Sequence, residues 1–141
     1  AKLIDEDIVP RRAQVIVSER IENLPCKGPH FYDSGYYYWR DIDQRILLGG
    51  ARNKDVEGEN SYDLVPNDTV LAELKRFMNE QIFGREVAID YEWSGIMGMG
   101  KSNEKQPIVK RLSTNSIVAA RLGGMGVALS ANVAEEVVSL I

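Results

Sequence analysis

The first half of the chain shows the spacing of apolar and polar residues that β-strands require. RAQVIVSE (12–19) is rich in β-branched residues, and a loop with two prolines and a glycine, NLPCKGP, follows it. YYYWR (36–40) and RILLGG (45–50) stand on either side of the polar segment DIDQ, which predicts a β-hairpin. Charged residues and asparagines are frequent from 51 to 66, which favours an exposed loop.

The middle of the chain predicts one amphipathic helix. Asn67 or Asp68 is the expected N-cap, and Gly84 is the expected stop. Between them, apolar residues recur at helical spacing and form one stripe. The stripe consists of Val70, Leu74, Phe77, Met78 and Ile82.

The last third of the chain predicts three short strands and a final helix. EVAIDYEW (86–93) alternates and would place four apolar side chains on one face. These are Val87, Ile89, Tyr91 and Trp93. SGIMGMGKSNEKQP (94–107) is expected to be irregular, and IVKRL and SIVAA predict two strands around the turn STN. The final helix has one narrow polar stripe, so we expect burial over more than half of its circumference.

Together these elements predict an α+β protein. Its sheet is expected to be mainly antiparallel, with one amphipathic helix and a buried C-terminal helix, because strands outnumber helices and do not alternate regularly with them. A chain of 141 residues suits one average domain, so we predict a single structural unit over residues 1–141.

Composition and charge exclude several function classes. A net charge of −4, without a basic block, argues against nucleic acid as a partner. One cysteine, Cys26, and one histidine, His30, provide no cysteine or histidine metal cluster and no disulfide framework, which suits a cytoplasmic protein. No apolar run has the length that crosses a bilayer, so we expect no membrane association.

The strongest candidate site is the glycine-rich turn RLGGMGVAL (121–129) before the final helix. Leu129 occupies the third glycine position of a G-x-G-x-x-G fingerprint, so the turn cannot be an autonomous dinucleotide site. Two interpretations remain open. The glycines could allow tight strand-to-helix packing, or the helix N-terminus could stabilise a polar group of a ligand.

Other candidates have ordinary structural explanations beside the functional ones. Tyr36 and its aromatic neighbours could pack in the core or face a ligand. Asp90 and Glu92 could form a catalytic pair, but a solvated strand face explains them without special assumptions. His30 and Cys26 lack partners in a recognisable motif, and Asn67 begins a glycosylation sequon that matters only in a secreted protein.

Four blocks of sequence, taken in order, resemble one family of flavoproteins. They are P-x-R-A-Q-V (10–15), GYYYWRDIDQRILLGGARN (35–53), EWSGIMG (92–98) and RLGGMGVAL (121–129). The chain is similar to the C-terminal part of D-amino-acid-oxidase-like FAD-dependent oxidoreductases, which include glycine oxidase and sarcosine oxidase relatives. The resemblance covers nearly the whole chain and keeps the order of the blocks.

The resemblance implies a division of the chain between two domains. Such proteins have an FAD-binding domain built on an N-terminal Rossmann unit and a substrate domain with a large antiparallel sheet. Residues from about 12 to 93 would belong to the substrate domain, and 94–141 would be the segment that returns to the FAD domain. The family's G-x-G-x-x-G lies upstream and does not occur here, so the chain resembles a fragment whose partner is the missing N-terminal half.

The resemblance also implies roles for individual residues. The flavin-contacting positions would be Gly123, Gly124, Met125, Gly126 and Val127, mainly through their backbone. Tyr36 matches a strand tyrosine that reaches the substrate. Met97 stands at the arginine position of a W-x-G-x-R pattern, and a second arginine of some members falls at Gly124. Neither arginine that would clamp a substrate carboxylate is present, so an amine, an amino sugar or another reduced substrate is equally open.

We therefore expect the C-terminal portion of an FAD-dependent oxidoreductase of the amino-acid or amine oxidase type, acting on a small molecule. The isolated chain is expected to be inactive, to lack FAD and to self-associate through apolar surface that the missing half would cover. The competing hypothesis is a stand-alone binding or structural module without a redox role.

Overall fold

A five-stranded antiparallel sheet and a two-stranded hairpin form the β-structure of the chain. The computed structural model describes residues 7–101 and 105–141. In the larger sheet the strand order is β2-β3-β4-β1-β5. Its strands are β1 (Val9–Ser18), β2 (His30–Tyr32), β3 (Tyr37–Ile42), β4 (Arg45–Gly50) and β5 (Ile89–Met99). With two helices beside these sheets, the predicted α+β class is confirmed.

Contacts within the chain define two compact units. The first is Arg12–Ile96, which we call the sheet unit. The second comprises the described residues before Arg12 together with Met97–Ile141, and we call it the terminal unit. Their assignment to a substrate domain and an FAD domain stays a prediction.

The predicted hairpin is β3 and β4, and its turn is tighter than expected. The strands pair from Tyr37 opposite Gly50 to Ile42 opposite Arg45, which leaves two residues in the turn. Asp43 and Gln44 both have positive φ, 48° and 58°. Two left-handed residues match the right-handed twist of a hairpin, so the turn forms although neither residue is glycine.

The predicted amphipathic helix is confirmed as α1 (Asp68–Phe77), which continues as a π-helical segment, Met78–Phe83. Asn67 is the N-cap, and its Oδ1 accepts a hydrogen bond from the Thr69 N–H at 2.9 Å. Gly84 ends the segment with φ 64°, a conformation that glycine adopts without steric cost.

The sheet unit has its own hydrophobic core between α1 and one face of the sheet. The core side chains come from β1, β3, β4 and α1 and from the segments that follow β4 and precede β5. They are Ile16, Tyr37, Ile46, Leu48, Ala51, Val70, Leu71, Leu74, Phe77, Met78 and Val87.

Three expectations for the sheet unit are corrected. The 51–66 loop is not wholly exposed, because Ala51 and Glu59 are completely buried. β5 continues to Met99, so 94–99 is not irregular. Tyr91 and Trp93 are 59% and 46% exposed, because alternation identifies a strand but not what covers each face. Residues 102–104 of the predicted irregular segment lie outside the described residues.

The terminal unit contains the second sheet and the final helix. β6 (Ile108–Ser113) and β7 (Ser116–Ala120) form the predicted hairpin, and α2 (Gly126–Ser139) packs against it. The half-buried side chains of α2 and its C-cap recur at helical spacing, which identifies the packed stripe. They are Leu129, Val133, Val137 and Leu140.

The predicted burial of the C-terminal helix is wrong for this chain. No residue of α2 is buried, and Val127 and Val138 are 94% and 66% exposed. The helix is apolar on most sides, as expected, but two short strands cover only one stripe of it. Among the described residues, no helix combines the length and apolar character that a bilayer crossing requires.

Candidate functional site

The glycine-rich turn connects β7 to α2 through a single 3₁₀ turn, Gly123–Met125. Gly123 has φ 54°, in the left-handed region that favours glycine. The Met125 N–H donates to the Leu122 carbonyl at 3.0 Å and closes the turn. α2 then begins at Gly126, so the turn places the helix N-terminus at the end of a tightly wound loop.

The N-terminus of α2 is suited to a ligand group with negative charge. No side chain caps it. The first N–H groups of a helix lack intrahelical acceptors, and the helix dipole is positive at this end. Gly124 is exposed, and Met125 and Val127 are 57% and 94% exposed. A planar polar group could therefore reach the backbone of this turn without displacing a side-chain cap.

Packing inside the terminal unit does not explain all three glycines. A Cβ added at Gly124 would have the Met97 Sδ as its nearest neighbour, at 4.0 Å, and one at Gly126 would meet the Leu122 Cβ at 3.7 Å. Both are ordinary contact distances. Among the three, backbone conformation favours glycine only at Gly123, and packing within the terminal unit would accommodate a Cβ at Gly124 and at Gly126.

The side chains beside the turn are thioethers. Met97 lies next to Gly124, and the Met99 Cγ lies 3.6 Å from a Cβ built at Gly123. The structure thus brings together two of the predicted site positions, Met97 and Gly124, which are the positions that the resemblance assigned to substrate-binding arginines. This wall of the turn is apolar and polarisable instead of cationic.

Tyr36 belongs to the sheet unit, and its backbone is fixed by the end of β4. The Ala51 N–H donates to the Tyr36 carbonyl at 2.7 Å. A Cβ at Gly50, which has φ 120°, would overlap that carbonyl oxygen. Tyr36 precedes β3 and has helical backbone angles, with φ −67° and ψ −22°. The predicted strand over residues 36–40 therefore begins one residue later, at Tyr37. Its side chain is 45% exposed and available to a ligand.

The neighbours of Tyr36 in the aromatic block have structural roles. Tyr37 stacks on Phe77, with ring centroids 4.3 Å apart, and its hydroxyl donates to Glu73 at 2.5 Å. Trp39 packs against Phe77 as well, at 5.7 Å. Tyr38 lies over Gly49, where a Cβ would come within 2.6 Å of the ring, and burial raises the pKa of the Tyr38 phenol. The core-packing interpretation therefore holds for Tyr37 and Trp39.

The carboxylates of β5 form ion pairs on the surface of the sheet unit. Asp90 pairs with Arg45, and Glu92 pairs with Lys75 at 2.7 Å. Each carboxylate already has a cation partner, which supports the structural explanation over acid and base catalysis.

His30 and the sequon asparagine are also engaged in the fold. The His30 ring stacks on Trp39 at 5.2 Å. The Asn67 amide donates to Asp55 at 2.7 Å while its oxygen caps α1, so a glycan on Asn67 would disrupt the cap. Among the residues that the structure describes, no group of three or more His, Cys, Asp or Glu side chains is arranged to hold a metal ion.

A buried ion pair in the sheet unit was missed from the sequence. The Arg12 Nη2 lies 2.9 Å from the Glu59 Oε1, with side-chain exposures of 8% and 0%. The same guanidinium donates to the carbonyls of Gly58 at 2.8 Å and Val65 at 2.5 Å. A signal existed in β1, where the spacing of two places Arg12 and Gln14 on the same strand face as the core residue Ile16, so polar side chains had to be buried there.

Comparison with protein families assigns the chain to a class. The profile described as "FAD dependent oxidoreductase" matches residues 1–140. The chain belongs to this DAO family of FAD-dependent oxidoreductases, and the sequence-based assignment is confirmed. Among curated protein sequences, no match was found.

Two solved structures show the same fold. One is L-proline dehydrogenase from P. horikoshii, with 20% identity and a TM-score of 0.67, covering 94% of this chain and 35% of that one. The other is iminodiacetate oxidase from Chelativorans sp. BNC1, with 16% identity and a TM-score of 0.72, covering 97% of this chain and 37% of that one. The chain thus spans about a third of the length of these relatives.

Proposed function

We propose that the chain is the C-terminal portion of an FAD-dependent oxidoreductase of the amino-acid or amine oxidase type. In this proposal the sheet unit forms part of the substrate domain, and residues 123–127 form one wall of the flavin pocket. The observation that carries it is the open glycine turn at an uncapped helix N-terminus, in a chain of a FAD-dependent family.

The turn suits the flavin ring better than the FAD diphosphate. When bound, the flavin would accept a hydride from the C–H bond of the carbon that carries the nitrogen or oxygen of the substrate, so that the C–N or C–O bond becomes a double bond and the flavin is reduced. The backbone N–H groups and dipole of α2 would stabilise negative charge on the polar edge of the ring. The thioethers of Met97 and Met99 offer an apolar, polarisable surface beside Gly124 and Gly123.

On the substrate side we propose Tyr36 and Met97. The exposed phenol of Tyr36, on a backbone fixed by Gly50 and Ala51, could donate a hydrogen bond to a small molecule. Met97 offers no charge to a carboxylate. This argues against a simple amino acid whose carboxylate is bound by an arginine at this position. Amines, amino sugars and other reduced molecules remain candidate substrates.

The chain on its own is proposed to be inactive and to self-associate. It contains no G-x-G-x-x-G loop for the diphosphate. The apolar side chains of α2 are exposed, with Val127 at 94% and Val138 at 66%, and we infer that the missing N-terminal half covers them in the complete protein. Light scattering of the 141-residue chain is expected to show dimers or larger species, and a monomer over a wide concentration range would contradict this part of the proposal.

The decisive experiment is the absorbance spectrum of the complete gene product that carries this chain. Flavin bands, with FAD released on denaturation, would support the proposal. A colourless protein that takes up no added FAD would overturn it and favour the stand-alone binding or structural module.

A variant tests the assignment of the turn separately. Gly124→Val adds bulk where a Cβ has room within the chain, so the protein should fold while FAD binding weakens by about tenfold or more. Ala72→Val, which adds similar bulk on the exposed side of α1, is the control and should leave FAD binding unchanged. If both variants bind FAD as the wild type does, the turn is not a wall of the pocket.

A further inference from the structure

Arg121 is the residue that directs the chain from β7 into the glycine turn. Its φ is 60°, in the left-handed region that side chains other than glycine rarely adopt. Gly123, two residues later, has φ 54°. The direction of the turn therefore depends on two left-handed residues, and only one of them is a glycine.

The Arg121 side chain is held by two groups of the terminal unit. Its Nε donates to the Gln106 carbonyl at 2.9 Å, just before β6. Its Nη1 lies 3.8 Å from the Asp7 Oδ2, and the side chain is only 13% exposed. Asp7 in turn accepts a hydrogen bond from the Lys101 N–H at 2.9 Å, just after β5. The guanidinium thus links the start of the turn directly to the segments before β6 and before β1, and through Asp7 to the segment after β5.

This arrangement explains why an arginine can occupy a left-handed position. A strained backbone conformation persists when surrounding contacts hold it in place. Here the contacts that hold the backbone of Arg121 are made by its own side chain, to Gln106 and Asp7. A glycine at this position would adopt the same φ easily, but it would leave the turn untethered.

We propose that Arg121 is a positioning residue that fixes the backbone of residues 123–126 for flavin binding. The inference rests on the proposed function, because it assumes that the turn contacts the flavin. Arg121 itself acts through the backbone of the turn and is not placed against the flavin.

The test uses three variants of the complete gene product. Arg121→Gly keeps the left-handed backbone accessible and removes the tether, so it separates the side chain's role from the cost of the conformation. Arg121→Lys restores one positive donor. Arg111→Gln is the matched control, because Arg111 is an exposed arginine on the same hairpin whose Nη1 donates to Thr114 at 3.0 Å.

Two readouts are measured on each variant: amide hydrogen exchange of residues 123–127 without FAD, and the dissociation constant for FAD. Arg121→Gly should raise exchange in the turn at least about tenfold and weaken FAD binding about tenfold, as expected for loss of a hydrogen bond from a charged group. Exchange in α1 should stay unchanged. Arg121→Lys should recover part of both effects, and Arg111→Gln should show neither.

The two readouts keep the failures apart. A wild-type protein that binds no FAD overturns the proposed function, and the positioning of a flavin wall falls with it. If the wild type binds FAD but Arg121→Gly leaves exchange in the turn unchanged, the positioning role is wrong while the proposed function stands. Faster exchange with unchanged FAD affinity likewise overturns the positioning role alone.

Discussion

Both units of the chain contain apolar strands and an apolar helix face, but only the sheet unit has a buried core. Every buried side chain of the described residues belongs to Arg12–Ile96. The terminal unit has apolar strands and an apolar helix, yet none of its described residues is buried. Apolar side chains therefore form a core only where other elements of the protein pack over them. The sheet unit supplies that cover itself, whereas the apolar side chains of the terminal unit, such as Val127 and Val138, stay exposed in this chain.

The largest effect should come from the buried ion pair of the sheet unit. Arg12→Ala would leave the Glu59 carboxylate buried without its cation and would release the 58–65 segment that Arg12 holds through backbone carbonyls. Breaking a buried pair in this way costs about 3–5 kcal/mol of unfolding free energy. Chemical denaturation of the 141-residue chain measures the loss.

Arg20→Ala is the control for this prediction. Arg20 pairs with Asp43 on the surface, where the two side chains are 56% and 63% exposed. An exposed pair contributes about 0–1 kcal/mol. Similar losses in the two variants would show that the pair with Glu59 is not a buried structural contact.

A matched pair of leucines compares the units directly. Leu74→Ala removes a completely buried side chain from the core and should cost about 2–5 kcal/mol. Leu129→Ala removes a half-buried side chain from α2 and should cost about 1 kcal/mol or less in the isolated chain. Denaturation curves of both variants measure the difference. Equal losses would contradict the view that only the sheet unit has a core.

The predictable parts of the fold depended on local signals. The helix α1 was predicted because its cap, Asn67, and its stop, Gly84, lie next to the apolar stripe. The buried state of Glu59 was not predicted, because its partner Arg12 is 47 residues away in sequence. The exposure of α2 could not be predicted either, since the sequence of a helix does not tell what packs against it.

The candidate site was predictable in part for similar reasons. The turn was found from its glycines and from the order of the resembling blocks. The proximity of Met97 to Gly124 was not predicted, because it depends on β5 reaching Met99. The sequence SGIMGMG has three glycines and no alternation of polar and apolar residues, so the pattern gave no sign that the strand continues.

A smaller effect is expected on the unfolding free energy at low pH, through Glu73 of the sheet unit. Hydrogen bonds from Arg76 and from the Tyr37 hydroxyl lower the pKa of Glu73 from 4.5 to about 2. Because the folded-state pKa is below the unfolded value, the stabilisation is complete above about pH 4.5 and is lost as the pH falls toward 2. Urea denaturation between pH 5 and pH 2 is expected to show a loss of about 0.5–1 kcal/mol from this group.

Glu73→Gln should remove that part of the pH dependence while lowering stability at neutral pH. Glu57→Gln, an exposed change in the loop of the same unit, is the control and should leave the acid limb of the curve as it is. An unchanged acid limb in Glu73→Gln would show that this carboxylate does not couple folding to protons.

The smallest effect on stability is expected at Gly126, where the terminal turn enters α2. Gly126→Ala adds a Cβ at an ordinary contact distance, 3.7 Å from the Leu122 Cβ, at a position with helical φ of −53°. Because alanine has the higher helix propensity, the unfolding free energy should change by about 0.5 kcal/mol or less, in either direction. Gly123→Ala, which forces a side chain into φ 54°, is the contrast and should cost about 1 kcal/mol or more. If Gly126→Ala proves neutral for stability yet weakens FAD binding in the complete protein, that glycine serves a ligand. If Gly126→Ala instead loses as much stability as Gly123→Ala, the glycine at position 126 is required by packing within the chain.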